Sequence, residues 1–193
     1  THAVYDALPT ALKLLQSQFP GTQVVLSEMG NADLMQSLTE GRIDLAMLHT
    51  PVALQGRVRQ KLVRRDPLMA VLPINYPLPA HGRASLADLE RLGLVWFPEA
   101  QLPTLRAGIA GAFSRAGLAM RVVQEANRSL TVLSCVAAGI GASLLPQSAE
   151  VLQHQGVRFA PLSDGERLPY FELSVLWQAS GRATIASQLA DLL

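Results

Sequence analysis

Apolar and polar positions follow helical and strand periods in turn along the whole chain, the pattern of an α/β fold with mostly parallel strands. Leu8, Leu12, Leu15 and Phe19 share one helical face, Pro9 suits a first turn, and Pro20-Gly21 ends the segment. Val24–Glu28 predicts a strand. Asn31 is a good N-cap for a helix carrying Leu34, Met35 and Leu38, and Gly41 stops that helix before a strand over 43–48. Together these pieces predict a βαβ unit.

Leu68 to Leu72 is a further apolar stretch, and Pro73, Pro77 and Pro79 turn the next residues into a loop. Ser85 and Asp88 have the form of a capping box with Asp in the usual Glu position. Leu94–Phe97 predicts a strand, Leu105, Ile109, Phe113 and Ala116 a helical face closed by Gly117, and Val122–Gln124 another strand. Ser129 is placed to cap a helix that reaches Gly139. That glycine fits the left-handed position past a helix end, and Ala142–Leu145 is short and apolar, as a strand covered on both faces would be. Gln147–His154 predicts a short helix, Val157–Leu162 a strand, 163–167 a connection and Phe171–Trp177 a strand. Ile185, Leu189 and Leu192 mark a closing amphipathic helix.

Two crossings, near Asp66–Leu68 and Arg167–Tyr170, divide the expected fold into a discontinuous lobe I (1–66 plus 168–193) and a lobe II (67–167). Two extended connectors suit a hinge. A cleft between such lobes closes around a small molecule, and helix N-termini aimed into it supply donors for an anion.

Composition narrows the function. At 193 residues and 49% hydrophobic content the chain has ample material for a core, while 16 basic against 15 acidic residues leave no electrostatic footprint for a phosphate backbone. The single cysteine, Cys135, cannot form an intramolecular disulfide and sits on an apolar helical stretch, where a buried thiol is the ordinary reading. No signal peptide opens the sequence and no stretch is long and apolar enough for a membrane span, so a soluble, cytoplasmic protein without membrane contact is expected.

Catalytic chemistry finds little to stand on. Gly139-Ile140-Gly141 follows a helix and precedes a strand, the reverse of the order a dinucleotide-binding turn requires. No Gly-x-Ser-x-Gly or Walker-type sequence occurs, Ser134 and Ser143 have no base fixed near them by sequence, and no His, Cys, Asp and Glu spacing suggests a metal. No catalytic residue, cofactor or metal is expected, and His81 and His154 read as surface residues.

Six short segments stand in register along the chain: Leu8-Pro9, Phe19-Pro20, Gly41-Arg42-Ile43-Asp44-Leu45-Ala46, Val71-Leu72-Pro73 with Tyr76-Pro77-Leu78, Ser85-Leu86-Ala87-Asp88-Leu89, and Val136–Gly141 ending at Leu145-Pro146. In these the chain resembles the effector-binding domain of LysR-type transcriptional regulators. The resemblance implies a type 2 periplasmic-binding-protein-like fold of two α/β lobes with an inducer between them, and an N-terminal winged helix-turn-helix, outside this chain, that reads DNA. It also implies that the first lobe's opening strand precedes Thr1, that the protein is a homodimer or tetramer, and that it senses a ligand rather than catalysing a reaction.

By the same resemblance the inducer is met by Thr1-His2 before the first helix, by Asn31, by His49-Thr50 after the strand over 43–48, and by Pro103-Thr104-Leu105 in the second lobe. Arg128 adds a second-lobe charge. A Ser or Thr is usual where His2 stands, a Thr is common at Asn31, and some relatives carry Arg at His49. This less cationic pocket suits a small organic acid or aromatic metabolite with a single carboxylate or a neutral polar head. A type 2 solute-binding protein of a transport system would share the fold, but the helices around Leu34–Leu38 and Leu130–Val136 look apolar enough to be shared with a partner chain, which favours the regulator. An enzyme on a two-lobed scaffold lacks candidate acid, base or metal ligands.

A near-neutral chain without a recognition helix releases few counterions, so negligible affinity for duplex DNA is predicted for these 193 residues. Fluorescence anisotropy at moderate salt measures it, and micromolar or tighter binding would place a DNA-reading surface within them.

Overall fold

In a computed structural model of the chain, residues 2–54, 56–79, 81–179 and 184–193 are described, with only the backbone at 2–6 and 192. The first elements are α1 (His2–Gln18), α2 (Asn31–Thr39), β1 (Leu45–Thr50), β2 (Val58–Asp66) and β3 (Leu68–Pro73). Next come α3 (Leu86–Leu92), β4 (Leu94–Trp96), α4 (Pro103–Arg115), β5 (Val122–Glu125) and α5 (Ser129–Ala137). β6 (Ser143–Pro146), β7 (Val157–Ala160), β8 (Phe171–Gln178) and α6 (Ile185–Leu192) complete the order, with 3-10 turns at Glu99–Gln101, Gln147–Leu152 and Gly165–Arg167. The chain forms two compact units, Thr1–Arg65 with Glu172–Leu193 and Asp66–Phe171.

Unit 1 is built on the sheet β1-β8-β2. β1 and β8 run antiparallel, with Leu45 opposite Trp177 and Thr50 opposite Glu172. Because side chains alternate across a strand, Ala46, Leu48, Val58 and Leu176 meet Leu38 of α2, while Val175, Trp177, Leu45, Met47 and Val63 meet Ala190 and Leu193 at the C-terminal helix. Both faces are covered by helices. The end of α2 is a Schellman motif: Gly41, at φ 71°, donates to the Leu38 carbonyl and Arg42 to that of Ser37.

Several expectations for this unit change. α1 begins at His2, so Pro9 lies inside the helix rather than in its first turn. Residues 22–30 join no ladder and Val25 is 82% exposed, so Val24–Glu28 is not a strand and no βαβ unit forms there. A strand is made by its partner, and none of the described strands runs beside this segment. The strand expected over 43–48 starts and ends two residues later, taking in His49 and Thr50. β2 escapes the hydrophobic pattern because Arg59, Lys61, Arg64 and Arg65 interrupt it, the kind of charge that discourages further pairing at a sheet edge.

In unit 2, β3 lies between β6 and β7, antiparallel to both, and β4 pairs in parallel with β5. A parallel bridge from Leu94 to Ala142 connects β4 to the segment entering β6. The expected mostly parallel arrangement is therefore replaced by mixed pairing, since periodicity carries no information on strand direction. Leu105, Ile109 and Phe113 of α4 and Val132, Leu133 and Val136 of α5 are buried, as is all of β6. The α5 apolar face is thus covered within its own chain, leaving Leu130 at 53% exposure, and Leu38 is fully buried in unit 1, so neither helix is open to a partner along its whole apolar face.

The Ser85–Asp88 capping box forms as expected. Ser129 does not cap α5: it is the first helical residue, and Arg128 occupies the N-cap. Schellman motifs close α4 at Gly117 and α5 at Gly139, the latter with Ile140 donating to the Cys135 carbonyl at 3.1 Å.

Among the described glycines of unit 2, Gly141 makes the tightest approach to backbone, because a Cβ there would lie 2.7 Å from the backbone oxygen of Gly93, which itself accepts from Ala142. Backbone cannot yield as a side-chain tip can. Gly141→Ala is predicted to destabilise the chain by about 1–3 kcal/mol through overpacking, measured by urea denaturation. An unchanged midpoint would show that this crossing relaxes freely.

Candidate functional site

The residues assigned from sequence fall into one group in each unit, apart from Thr1, which lies outside the described residues. The backbone of His2 is the first residue of α1, and its side chain also lies outside them. In unit 1, Asn31 is the first helical residue of α2 and not its cap, since Gly30 holds the N-cap position without a side-chain bond. Its side chain does a different job: Nδ2 donates to the His49 carbonyl at 3.0 Å and fixes the start of α2 to the carboxyl end of β1. Sequence reasoning placed both residues at the site but did not foresee the bond between them.

His49 and Thr50 belong to β1 rather than to the loop beyond it, and both are buried, His49 to 4% exposure. The register sets His49 opposite Leu173, on the apolar face that also carries Leu45 and Met47. Burial there opposes the charged imidazolium and pushes the His49 pKa from 6.5 down to about 4. Thr50 points to the other face, where its Oγ1 lies 2.9 Å from Ser174 Oγ and Gln60 Nε2 donates to the same oxygen at 3.2 Å. One polar thread therefore crosses β1, β8 and β2. Ser174 and Gln60 were absent from the sequence reading; alternation in Phe171–Trp177 was the only signal, and it placed Ser174 on a face without saying what it would meet.

In unit 2 the parallel pair β4·β5 ends with both strands leading into helix N-termini, α4 after β4 and α5 after β5. This is the position at which open α/β sheets collect ligands. Ala126 donates to the Trp96 carbonyl at 2.9 Å, and Gln101 Nε2 donates to the Asn127 carbonyl at 3.3 Å. These bonds tie the approach to Pro103, Thr104 and Leu105 to the approach to Arg128. Pro103 is the first helical residue of α4, Thr104 and Arg128 are exposed, and the Leu105 side chain is buried in the unit. Helices α2, α4 and α5 share one trait: none has a side-chain capping bond at its N-cap, whereas α3 and α6 are closed by full capping boxes at Ser85 and Thr184.

Ser134, read from sequence as having no base near it, lies 3.2 Å from His154 Nε2, whose Nδ1 contacts the Gln155 carbonyl at 2.6 Å. The contact is exposed, and the Ser134 hydroxyl donates to the Leu130 carbonyl at 2.9 Å, which commits its proton to the helix. Ser143 is buried and donates to the Val95 carbonyl at 2.8 Å, joining β6 to β4. Among the described residues no group of three or more His, Cys, Asp or Glu is placed to hold a metal, and no helix is long and apolar enough to cross a membrane.

His49 supplies a pH signature. Its folded-state pKa of about 4 lies below 6.5, so between these values the unfolded chain binds more protons and stability falls as pH falls. From pH 6.5 to 4 the chain is predicted to lose up to about 3 kcal/mol more than His49→Gln does. Urea denaturation of both proteins across that range gives the difference, and parallel profiles would mean that the ring is protonated as easily folded as unfolded.

The model for the LysR substrate binding domain matches residues 1–193. The chain is 29% identical over 192 residues to the HTH-type transcriptional regulator IlvR of Caulobacter vibrioides, covering 98% of this chain and 63% of that protein. It is 27% identical over 171 residues to the uncharacterized HTH-type transcriptional regulator YnfL of Escherichia coli K12, covering 89% of this chain and 57% of that protein. The chain spans less than two thirds of the length of these relatives. A solved structure described as the BenM effector binding domain with its effector benzoate is similar at TM-score 0.79 and 25% identity, over 95% of this chain and 82% of that one. The chain belongs to the LysR substrate-binding-domain family, with the type 2 periplasmic-binding-protein-like α/β fold and the effector-binding role of that family's domain.

Proposed function

We propose that the chain senses a small organic acid or aromatic metabolite and that Asn31, His49 and Thr50 in unit 1 and Pro103, Thr104, Leu105 and Arg128 in unit 2 contribute to holding it, with Thr1 and His2 completing the set. The observation that carries this reading is the set of three helices, α2, α4 and α5, whose N-caps make no side-chain capping bond, although Ser, Thr or Asp there would stabilise α4 and α5 by about 0.5–2 kcal/mol each and α2, which starts from Gly30, by roughly a few tenths. Positive helix ends without a side-chain cap suit a carboxylate. Neutral His49 adds no cation, which favours a ligand with one negative charge over a strongly charged one. The relative solved with benzoate gives an example of such a ligand in the family.

The effector acts by binding one arrangement of the protein better than another, since equal affinity for both would shift nothing. DNA binding through an N-terminal winged helix-turn-helix, assembly as a homodimer or tetramer and a cytoplasmic location are part of the same proposal for the longer protein. Two-fold assembly matches the reading of paired half-sites. The matched relatives are transcriptional regulators, which supports sensing rather than catalysis and lends nothing to the transport alternative.

Small aromatic and aliphatic carboxylates, benzoate among them, are the compounds to screen by thermal shift, because a ligand specific for the folded state raises the melting temperature. For the compound so identified, Asn31→Ala is predicted to weaken binding by about 1–3 kcal/mol in titration calorimetry, through a lost or displaced polar partner. A lower melting temperature with an unchanged dissociation constant would remove Asn31 from the binding site and leave it only the bond to His49.

A further inference from the structure

Unit 2 contains a cavity of about 480 Å³ that involves none of the residues assigned above to effector binding. Its apolar wall is formed by Leu162 and Leu168, both buried, together with Pro161 and Pro169. That wall is built before any ligand arrives. Leu168 donates to the Gly165 carbonyl at 3.0 Å, Arg115 Nη2 donates to that of Arg167 at 3.0 Å, and Asp164 Oδ1 accepts from the Leu86 amide at 3.2 Å. Pro169 lies so close to α4 that a Cβ on Gly108 would sit 3.0 Å from its Cγ. Three hydrogen bonds and a glycine contact therefore fix the segment over 164–169.

Two opposite charges line the same cavity, Arg83 and Glu166. Arg83 Nη1 donates to the Leu162 carbonyl at 3.2 Å, which uses one of its five N–H groups and orients the guanidinium over the wall. Neither side chain takes part in an ion pair among the described residues. A cation and an anion in one apolar cavity that do not close on each other match a ligand carrying both charges and an apolar arm. Arginine's planar fork suits a carboxylate, a carboxylate suits an ammonium group, and rigid proline and leucine surfaces suit a large side chain. A plain organic acid would meet the Glu166 charge with nothing to offset it, and a plain amine would meet Arg83 in the same way.

We propose that this cavity is a second small-molecule site, which binds a zwitterionic α-amino acid with a large apolar side chain, its carboxylate on Arg83 and its ammonium group on Glu166. Titration calorimetry of the 193-residue chain with L-leucine and L-phenylalanine tests it, alongside 4-methylpentanoate and 3-methylbutylamine, which each keep one of leucine's charges. The expected result is saturable binding of an amino acid, weakened about tenfold or more in either single-charge analogue and in Arg83→Gln or Glu166→Gln. Both residues are exposed, so the variants should fold, which circular dichroism verifies. Amide shifts in NMR spectra should move at Gly165 and Leu168, and Asn31→Ala should leave the affinity unchanged. Absence of saturable binding at millimolar amino acid, equal binding of the single-charge analogues, or binding that is lost in Asn31→Ala and kept in both charge variants would each overturn the proposal. The last outcome would move the amino acid to the effector site and leave the effector reading standing.

Discussion

The β1·β8 ladder is the constraint on which unit 1 depends. It brings Phe171–Gln178, from the far end of the chain, against Leu45–Thr50, and only in that register do the two strands present matching apolar faces. One face receives Leu38 from α2 and the other receives Ala190 from α6, so a single pairing aligns two cores at once. A slip by one residue would exchange every one of these side chains with its neighbour on the opposite face. The polar features depend on the same register. Ser174 comes within reach of Thr50, His49 is set among apolar neighbours opposite Leu173, and Arg65 at the end of β2 reaches Glu172 at 3.2 Å.

Asn31 shows how a candidate site residue is placed by the fold rather than by its own propensity. An Asn before a helical pattern ordinarily caps through its side chain. Here the backbone begins the helix one residue earlier than that pattern implies, Gly30 takes the N-cap, and the freed amide reaches back to the strand. The helix end forgoes a side-chain capping bond, and the strand end gains an anchor. Since the bond is to the His49 carbonyl, it positions the backbone of β1 and does not depend on the imidazole's protonation state. The His49 ring turns to the apolar side, where burial keeps it neutral over most of the pH range in which a free histidine titrates. The unit 1 share of the proposed site is therefore polar but uncharged.

The features that could be read from the sequence are those that local chemistry decides. Gly41, Gly117 and Gly139 each sit where a left-handed residue must follow a helix, and each closes a Schellman motif. Ser85 and Asp88 form their capping box, and Ser143–Pro146 is buried throughout. The features that stayed hidden depend on partners distant along the chain. β2 carries four Arg and Lys residues that erase its alternation, Val24–Leu26 has the composition of a strand but no partner beside it, and the contact of Ser134 with His154 exists because the segment after Gln147–Leu152 returns to α5. The residues of the candidate site come from the family resemblance alone, while the burial of His49 and Thr50 and the thread to Ser174 and Gln60 required the sheet register.

The capping pattern and the second cavity lead to a common point about charge. In α2, α4 and α5 the donors are backbone N–H groups, fixed in direction and unaffected by pH, and they favour a ligand by its negative end alone. In the cavity of unit 2 the donors and acceptors are side chains of opposite sign on a wall fixed by its own hydrogen bonds, which favours a ligand only if it carries both charges. Simple carboxylates and amino acids would thus be separated by chemistry without any need for size selection. Pro67 and Tyr170 also line the cavity, each one residue from the Asp66 and Phe171 boundaries of the unit. A ligand there would lie against the two segments through which the chain leaves the unit, and any influence it had on effector binding would be returned with equal strength by the effector, because coupling between two equilibrium sites is reciprocal.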